Sequence, residues 1–230
     1  SLSLSVLFVL DLSLSLSFYV SIFLLILVSI WPMDRLGFYF VAFSAAGAGF
    51  AMVSQAIGLT LLPSLAGVEQ VQRRDRLERI LRYTILAALG FAALIIVTAP
   101  FVIPLIFGEA FRPAVAYTQG LALALLFVPI RSVILEANRS AGKGRPGIEM
   151  ALASLAVFIT IYLLTGFASA GHLFLAIGAG NVAAIAMGLR HPVAAGDIRL
   201  LHGLVPRPAD AFFLMREARN HLPVSLRRSP

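Results

Sequence analysis

Six predominantly apolar runs, each close to the length of a membrane crossing and joined by short connections, leave this chain few folds to choose from. The runs fall at residues 12–31, 38–65, 83–107, 114–137, 148–168 and 171–189. A helix rises about 1.5 Å per residue, so about 20 residues cross a hydrocarbon layer about 30 Å thick. Lipid offers the backbone no hydrogen-bond partners, so a spanning segment must be helical or belong to a closed barrel. Barrel strands alternate in stretches of about ten residues, and from Phe38 onward nothing alternates. The expected fold is all-α: a polytopic membrane helical bundle of about six transmembrane helices.

Composition closes the soluble alternatives. Of the 230 residues, 60% are hydrophobic and 13% charged, against about 45–50% and about 25% in a soluble domain. Too few polar side chains exist to cover a surface in water. Disordered chains are poor in apolar residues, so disorder is excluded as well. Cysteine is absent, which removes disulfide frameworks, thiolate metal sites and cysteine nucleophiles. The histidines (His172, His191, His202, His221) lack HExxH-type spacing, so neither a metal nor a cofactor is expected. No paired carboxylates or Ser/His/Asp arrangement lies in the spans, and the chain reads as no enzyme.

Charge placement sets the orientation. Fifteen of the eighteen Lys and Arg residues fall in 66–82, in 138–147 or after residue 189, whereas the alternate connections hold only Arg35 and Arg112. Basic loops stay on the cytoplasmic side, so these segments and both termini are expected there. The net charge of +7 then reflects retention and attraction to anionic membrane lipids. No nucleic acid partner is expected, because neither a recognition helix nor aromatic-studded strands accompany the charge.

The domain reading is a low-complexity start and first span at 1–30, a transmembrane bundle at 31–190 and a basic cytoplasmic tail at 191–230, with a short amphipathic helix near 209–220. Residues 1–17 alternate serine and apolar residues without an initiator methionine or basic n-region, so they are no signal peptide. The chain reads as a fragment.

Several motifs have two readings. Gly178-Ala179-Gly180-Asn181-Val182-Ala183, with Asp197 downstream, imitates a dinucleotide fingerprint, but that needs a βαβ unit. The preferred reading is packing: Ala176, Gly180, Ala184 and Gly188 recur every four residues, a small-residue row that lets membrane helices approach closely. It places 171–189 at the centre of the bundle. Gly142-Lys143-Gly144-Arg145-Pro146-Gly147 lacks phosphate-loop spacing and reads as a tight turn. The sequon Asn138-Arg139-Ser140 falls on the cytoplasmic side and is discounted.

Polar groups within the spans are the candidate site. An arginine near the bilayer centre costs about 2.5–3.5 kcal/mol on insertion scales. Arg131 either snorkels to the inner headgroups or binds an anion in an internal cavity, with Pro129 loosening the helix beside it. Glu136 lies about 140° around the helix from Arg131 at about 100° per residue, so the two do not pair. It is expected at the interface or against a neighbouring helix. Glu149 reads as a helix-start charge. Ser44, Ala48, Ala51, Gln55 and Gly58 form a small, polar stripe that either packs tightly or lines a cavity. Gln119 and Asn181 read first as interhelical hydrogen-bonding amides. Pro100 and Pro104 break the outer end of the third span.

From Leu36 onward the order of features resembles the polysaccharide flippases of the multidrug/oligosaccharidyl-lipid/polysaccharide exporter superfamily. The pieces are Leu36-Gly37-Phe38-Tyr39-Phe40-Val41-Ala42, then Leu61-Leu62-Pro63-Ser64-Leu65, then the charged stretch from Arg73 to Arg82. Next come Ala99-Pro100-Phe101-Val102-Ile103-Pro104-Leu105-Ile106-Phe107-Gly108 with Phe111 and Ala114, and last Asn138-Arg139-Ser140-Ala141-Gly142-Lys143. The resemblance covers about residues 36–195 and corresponds to the C-terminal half of such a transporter; residues 1–30 fall outside it. It implies a multi-pass protein of the bacterial cytoplasmic (inner) membrane. Two bundles around a cavity would carry an undecaprenyl-pyrophosphate-linked glycan outward by alternating access. The implied partners are the lipid-linked glycan and a missing N-terminal half. Arg131 is the first candidate to meet the pyrophosphate, with Gln55, Gln119 and Asn181 as further substrate-binding candidates. The alternatives are a drug/cation exporter of the same superfamily, which is expected to need a buried acid in mid-span, a membrane-embedded glycan polymerase or transferase, which is expected to need long outer loops, and a non-catalytic membrane fragment.

Overall fold

With apolar side chains on nearly every face, each run satisfies its backbone within itself by coiling. The computed structural model describes residues 27–65 and 70–194. Residues 27–30 are helical. Helix α1 (Met33–Ala42) continues through a π-helical segment (Phe43–Gly47) into α2 (Ala48–Leu65), and α3 is Gln70–Phe107. After a 3₁₀ turn (Glu109–Phe111) come α4 (Ala114–Leu125), α5 (Phe127–Ser140), α6 (Arg145–Thr165) and α7 (Ala170–Ala194). No strand occurs among the described residues, so the fingerprint at Gly178 sits inside α7 without a βαβ unit.

Five helical segments are long and apolar enough to cross a membrane: Met33–Ile57, Gln72–Phe107, Ala114–Ser140, Arg145–Thr165 and Ala170–Pro192. They correspond to the last five of the six expected runs. The first, 12–31, lies outside the described residues except for its final turn. The short connections make successive spans antiparallel. One end of the bundle therefore gathers the starts of α1, α4 and α7 and the ends of α3 and α6. Trp31, Phe38, Tyr39, Phe111, Tyr117, Phe167 and Phe174 lie there, so this is the aromatic end. The other, basic end holds Arg73, Arg74, Glu78, Glu136, Arg139, Arg145, Glu149 and His191.

Three expectations are corrected. The stretch 66–82 is not a loop throughout: α3 begins at Gln70 and runs for 38 residues. Its charged first turns are amphipathic. Leu77 and Leu81 are fully buried against Ile130, Val133, Ile134 and Ala137 of α5, while Arg76 and Arg79 are exposed. The connection 138–147 likewise shrinks to four residues, because α5 reaches Ser140 and α6 begins at Arg145, and α7 continues through Arg190 to Ala194.

The third correction concerns the centre. Along the apolar stretch of each span, 56% is buried for Ala114–Ser140 and 39% for Ala170–Pro192. The α4–α5 span is the one enclosed, because α1–α2, α3 and α7 all pack on it. It is interrupted at Leu126. Pro129 has no N–H to give the carbonyl of Leu125, which opens the ladder there. Large apolar side chains face outward elsewhere, among them Met52, Leu94, Phe101, Leu105, Leu163 and Leu175, as a lipid-covered surface requires.

Helices α6 and α7 form the tightest pair. Ala176 and Ala184 are fully buried. A Cβ on Gly180 would stand 3.0 Å from Ser154 Oγ and 3.1 Å from its carbonyl oxygen. A Cβ on Gly188 would stand 2.5 Å from Met150 Sδ and 2.8 Å from Ile134 Cγ2.

Candidate functional site

The structure brings two of the substrate-binding candidates together and separates the other two. Arg131, on α5, is half-buried, and its Nη1 donates to Asn181 Oδ1 of α7 at 3.4 Å. Asn181 is 6% exposed and spends its own N–H on the Ile177 carbonyl one turn back, at 2.9 Å. That bond turns the amide oxygen toward the guanidinium. The Arg131–Asn181 contact is long for a hydrogen bond, so it is weak and exchangeable. A charged, delocalised fork half-buried among apolar helices is suited to a phosphate or carboxylate, which it grips with two parallel bonds.

Gln119 lies about 18 Å along the same span from Arg131 by helical rise. Its Nε2 donates to the Ile96 carbonyl of α3 at 3.1 Å, away from the arginine. Gln55, Ala48 and Ala51 are exposed on α2, and Ser44 is exposed on the π-helical segment before it. At these four positions the stripe therefore does not pack inside the described bundle. Helix α2 packs beside α5, so Gln55 and Arg131 stand on neighbouring helices.

Toward the basic end a second set of polar contacts appears that the sequence reading missed. Arg73 Nη2 donates to the Ala137 carbonyl at 3.0 Å and to Ser140 Oγ at 3.1 Å. Those acceptors are in the last turn of α5, where carbonyls lack helical partners and favour a cation. Glu136 is 7% exposed and pairs with Arg139 on its own helix. Asn138, expected in a loop, is 2% exposed and donates to the carbonyls of Ile134 at 2.9 Å and Gly188 at 3.1 Å. Glu149 does more than begin a helix: it meets Arg145 at 3.0 Å and His191 of α7 at 3.2 Å. At the aromatic end, Trp31 Nε1 donates to the Phe167 carbonyl at 2.9 Å. Outside the spans there, Arg112 bonds Glu109 and holds its carboxyl below the usual value. No group of three or more His, Cys, Asp or Glu able to hold a metal occurs among the described residues.

The search of curated proteins and the search of solved structures each found no match. A family model described as polysaccharide biosynthesis protein matches residues 2–116. The match takes in the serine-leucine start, which corrects the expectation that residues 1–30 stand outside the family pattern, and it ends before Asn138. It covers half of the sequence and includes α1–α3. The chain thus belongs to the polysaccharide biosynthesis protein family.

Proposed function

We propose that this protein moves a lipid-linked oligosaccharide, a polysaccharide precursor, across the bacterial cytoplasmic membrane by alternating access. It acts as one helical bundle of a larger transporter and carries out no bond chemistry. The observation that carries the reading is a half-buried arginine beside a buried asparagine inside the apolar bundle of a polysaccharide biosynthesis protein. A glycan pyrophosphate cannot cross hydrocarbon unaided, because burying its charge is prohibitive without a partner. Arg131 supplies that partner. Asn181 holds the guanidinium while no anion is present and yields through the long contact when one arrives. The basic end faces the cytoplasm on this reading, following the distribution of arginines. Gln55 and its small neighbours line the open face of α2, along which the sugar passes. Gln119, engaged with α3, is left out of the path.

The test is Arg131→Gln in cells that depend on the transporter for surface polysaccharide. Export falls at least about tenfold, the cost of losing one charge-assisted contact, and the lipid-linked precursor accumulates while protein level stays normal. Unchanged export removes Arg131 from the site. If deleting the whole chain leaves precursor and surface polysaccharide unaltered, the transport reading fails.

A further inference from the structure

The central span carries two engaged side-chain amides, one toward each end: Gln119 in the second turn of α4 and Asn138 in the last turn of α5. A proline inside a helix has no N–H, so the carbonyl four residues earlier loses its ladder partner. In an apolar surrounding that loss is costly unless another donor arrives. Pro100 lies within α3 and Pro192 within α7. The carbonyls they orphan are those of Ile96 and Gly188.

These are the carbonyls the two amides reach. Gln119 Nε2 donates to Ile96 at 3.1 Å, and Asn138 Nδ2 donates to Gly188 at 3.1 Å. The same four-residue offset thus occurs twice, on different helices and at opposite ends. The asparagine side chain is short, and Gly188 brings α7 within its reach: a Cβ there would strike Ile134 and Met150.

We propose that Gln119 and Asn138 are latches. They fasten the ends of α3 and α7 that a proline loosens to the central span, one at each end of the bundle, and each loosened end swings only when its own latch releases. The assignment rests on the hydrogen bonds and the proline register and stands whatever the cargo.

The test is a double-mutant cycle on the full chain in detergent micelles, read as the folded-to-unfolded ratio in an SDS titration. Gln119→Leu lowers the ratio about three- to twentyfold, the range of interhelical hydrogen bonds in membrane proteins. Pro100→Ala restores an N–H that Ile96 can accept, so in that background Gln119→Leu changes the ratio by less than about twofold. Asn138→Leu and Pro192→Ala behave in the same way. Equal losses in both backgrounds, or no loss in either, overturn the proposal. If Gln119→Leu does not fold, Pro100→Ala/Gln119→Leu is expected to fold, and its failure also overturns the proposal. The chain has no cysteine, so spin labels at engineered cysteines replacing Leu105 and Leu123 report on the α3 end alone. Gln119→Leu broadens that distance distribution and Asn138→Leu leaves it unchanged. Broadening by both, or by neither, shows that the ends do not swing under separate latches.

Discussion

The two ends of the bundle are held by different forces. At the aromatic end, rings meet edge to face: Trp31 with Tyr39 at 6.4 Å and with Tyr117 at 6.2 Å, and Tyr117 with Phe174 at 6.0 Å. Polar bonds there run from Trp31 to the Phe167 carbonyl, tying the chain before α1 to the α6–α7 turn, and from Gln119 to the Ile96 carbonyl of α3. At the basic end the ties are polar: Arg73 to the end of α5, Asn138 to Gly188, and His191 to Glu149. Ring packing depends on shape and is lost when shape changes. Hydrogen bonds and ion pairs depend on what competes for them, and at the water boundary the competitor is water. A bundle that must open has a ready place to do so where its ties can be exchanged for water.

The largest way to break this contrast is to spoil the fit of the rings. Phe174 lies over Gly120, where a Cβ would fall 2.3 Å from ring carbon Cδ2. Gly120→Ala is expected to cost about 1–3 kcal/mol, the usual range for overpacking. Gly178→Ala is expected to be close to neutral, because its Cβ would meet only Ala124 Cα at 3.7 Å. Thermal unfolding of both variants in micelles checks the pair, and equal losses would show that ring shape is not what holds that end.

A smaller effect belongs to the basic end. Arg73→Met keeps an apolar stem but removes the donors to Ala137 and Ser140. The expected cost is about 0.6–1.7 kcal/mol, with faster hydrogen exchange confined to the first turns of α3. Exchange rising across the aromatic end instead would mean that the two ends are not held separately.

The smallest effect is that of Glu109 and Arg112, an exposed pair in the α3–α4 connection. The hydrogen bond from Arg112 holds the Glu109 carboxyl below its ordinary value of 4.5. A lowered carboxyl adds stability above its unfolded value and loses it as pH falls through its folded value. The window therefore opens below pH 4.5. Both side chains are 71% exposed, so solvent screens the pair. Glu109→Gln is expected to lower the unfolding midpoint only slightly and by the same amount throughout pH 5 to 8, the difference fading as pH falls below 4.5; a difference that changes between pH 5 and 8 would place the aromatic end under charge control.

Much of this was legible in the linear chain, for physical reasons. Hydropathy summed over a crossing length locates a span without knowledge of its neighbours, and five expected runs reappear as helices. The distribution of arginines separates the ends of the bundle because alternate connections share an end. The charges of 70–82 suggest a loop; only the burial of Leu77 and Leu81 on α5 explains why it stays helical. The small-residue row of α7 is visible in the sequence, yet it does not make α7 the enclosed span. Such a row measures how near a partner comes, here α6 at Gly180 and both α6 and α5 at Gly188, and does not say how many helices surround it.

Sequence alone determined that the chain is helical, where its long apolar runs from residue 38 onward lie, where its charge collects and which carbonyls its prolines orphan, because each is local to one helix. Tertiary structure decided that Ala114–Ser140 is the enclosed span, that Gln119 and Asn138 answer the orphaned carbonyls, and that Arg131 meets Asn181 while Gln55 faces out. These outcomes depend on the rotation of one helix against another, which packing sets and which no single helix encodes.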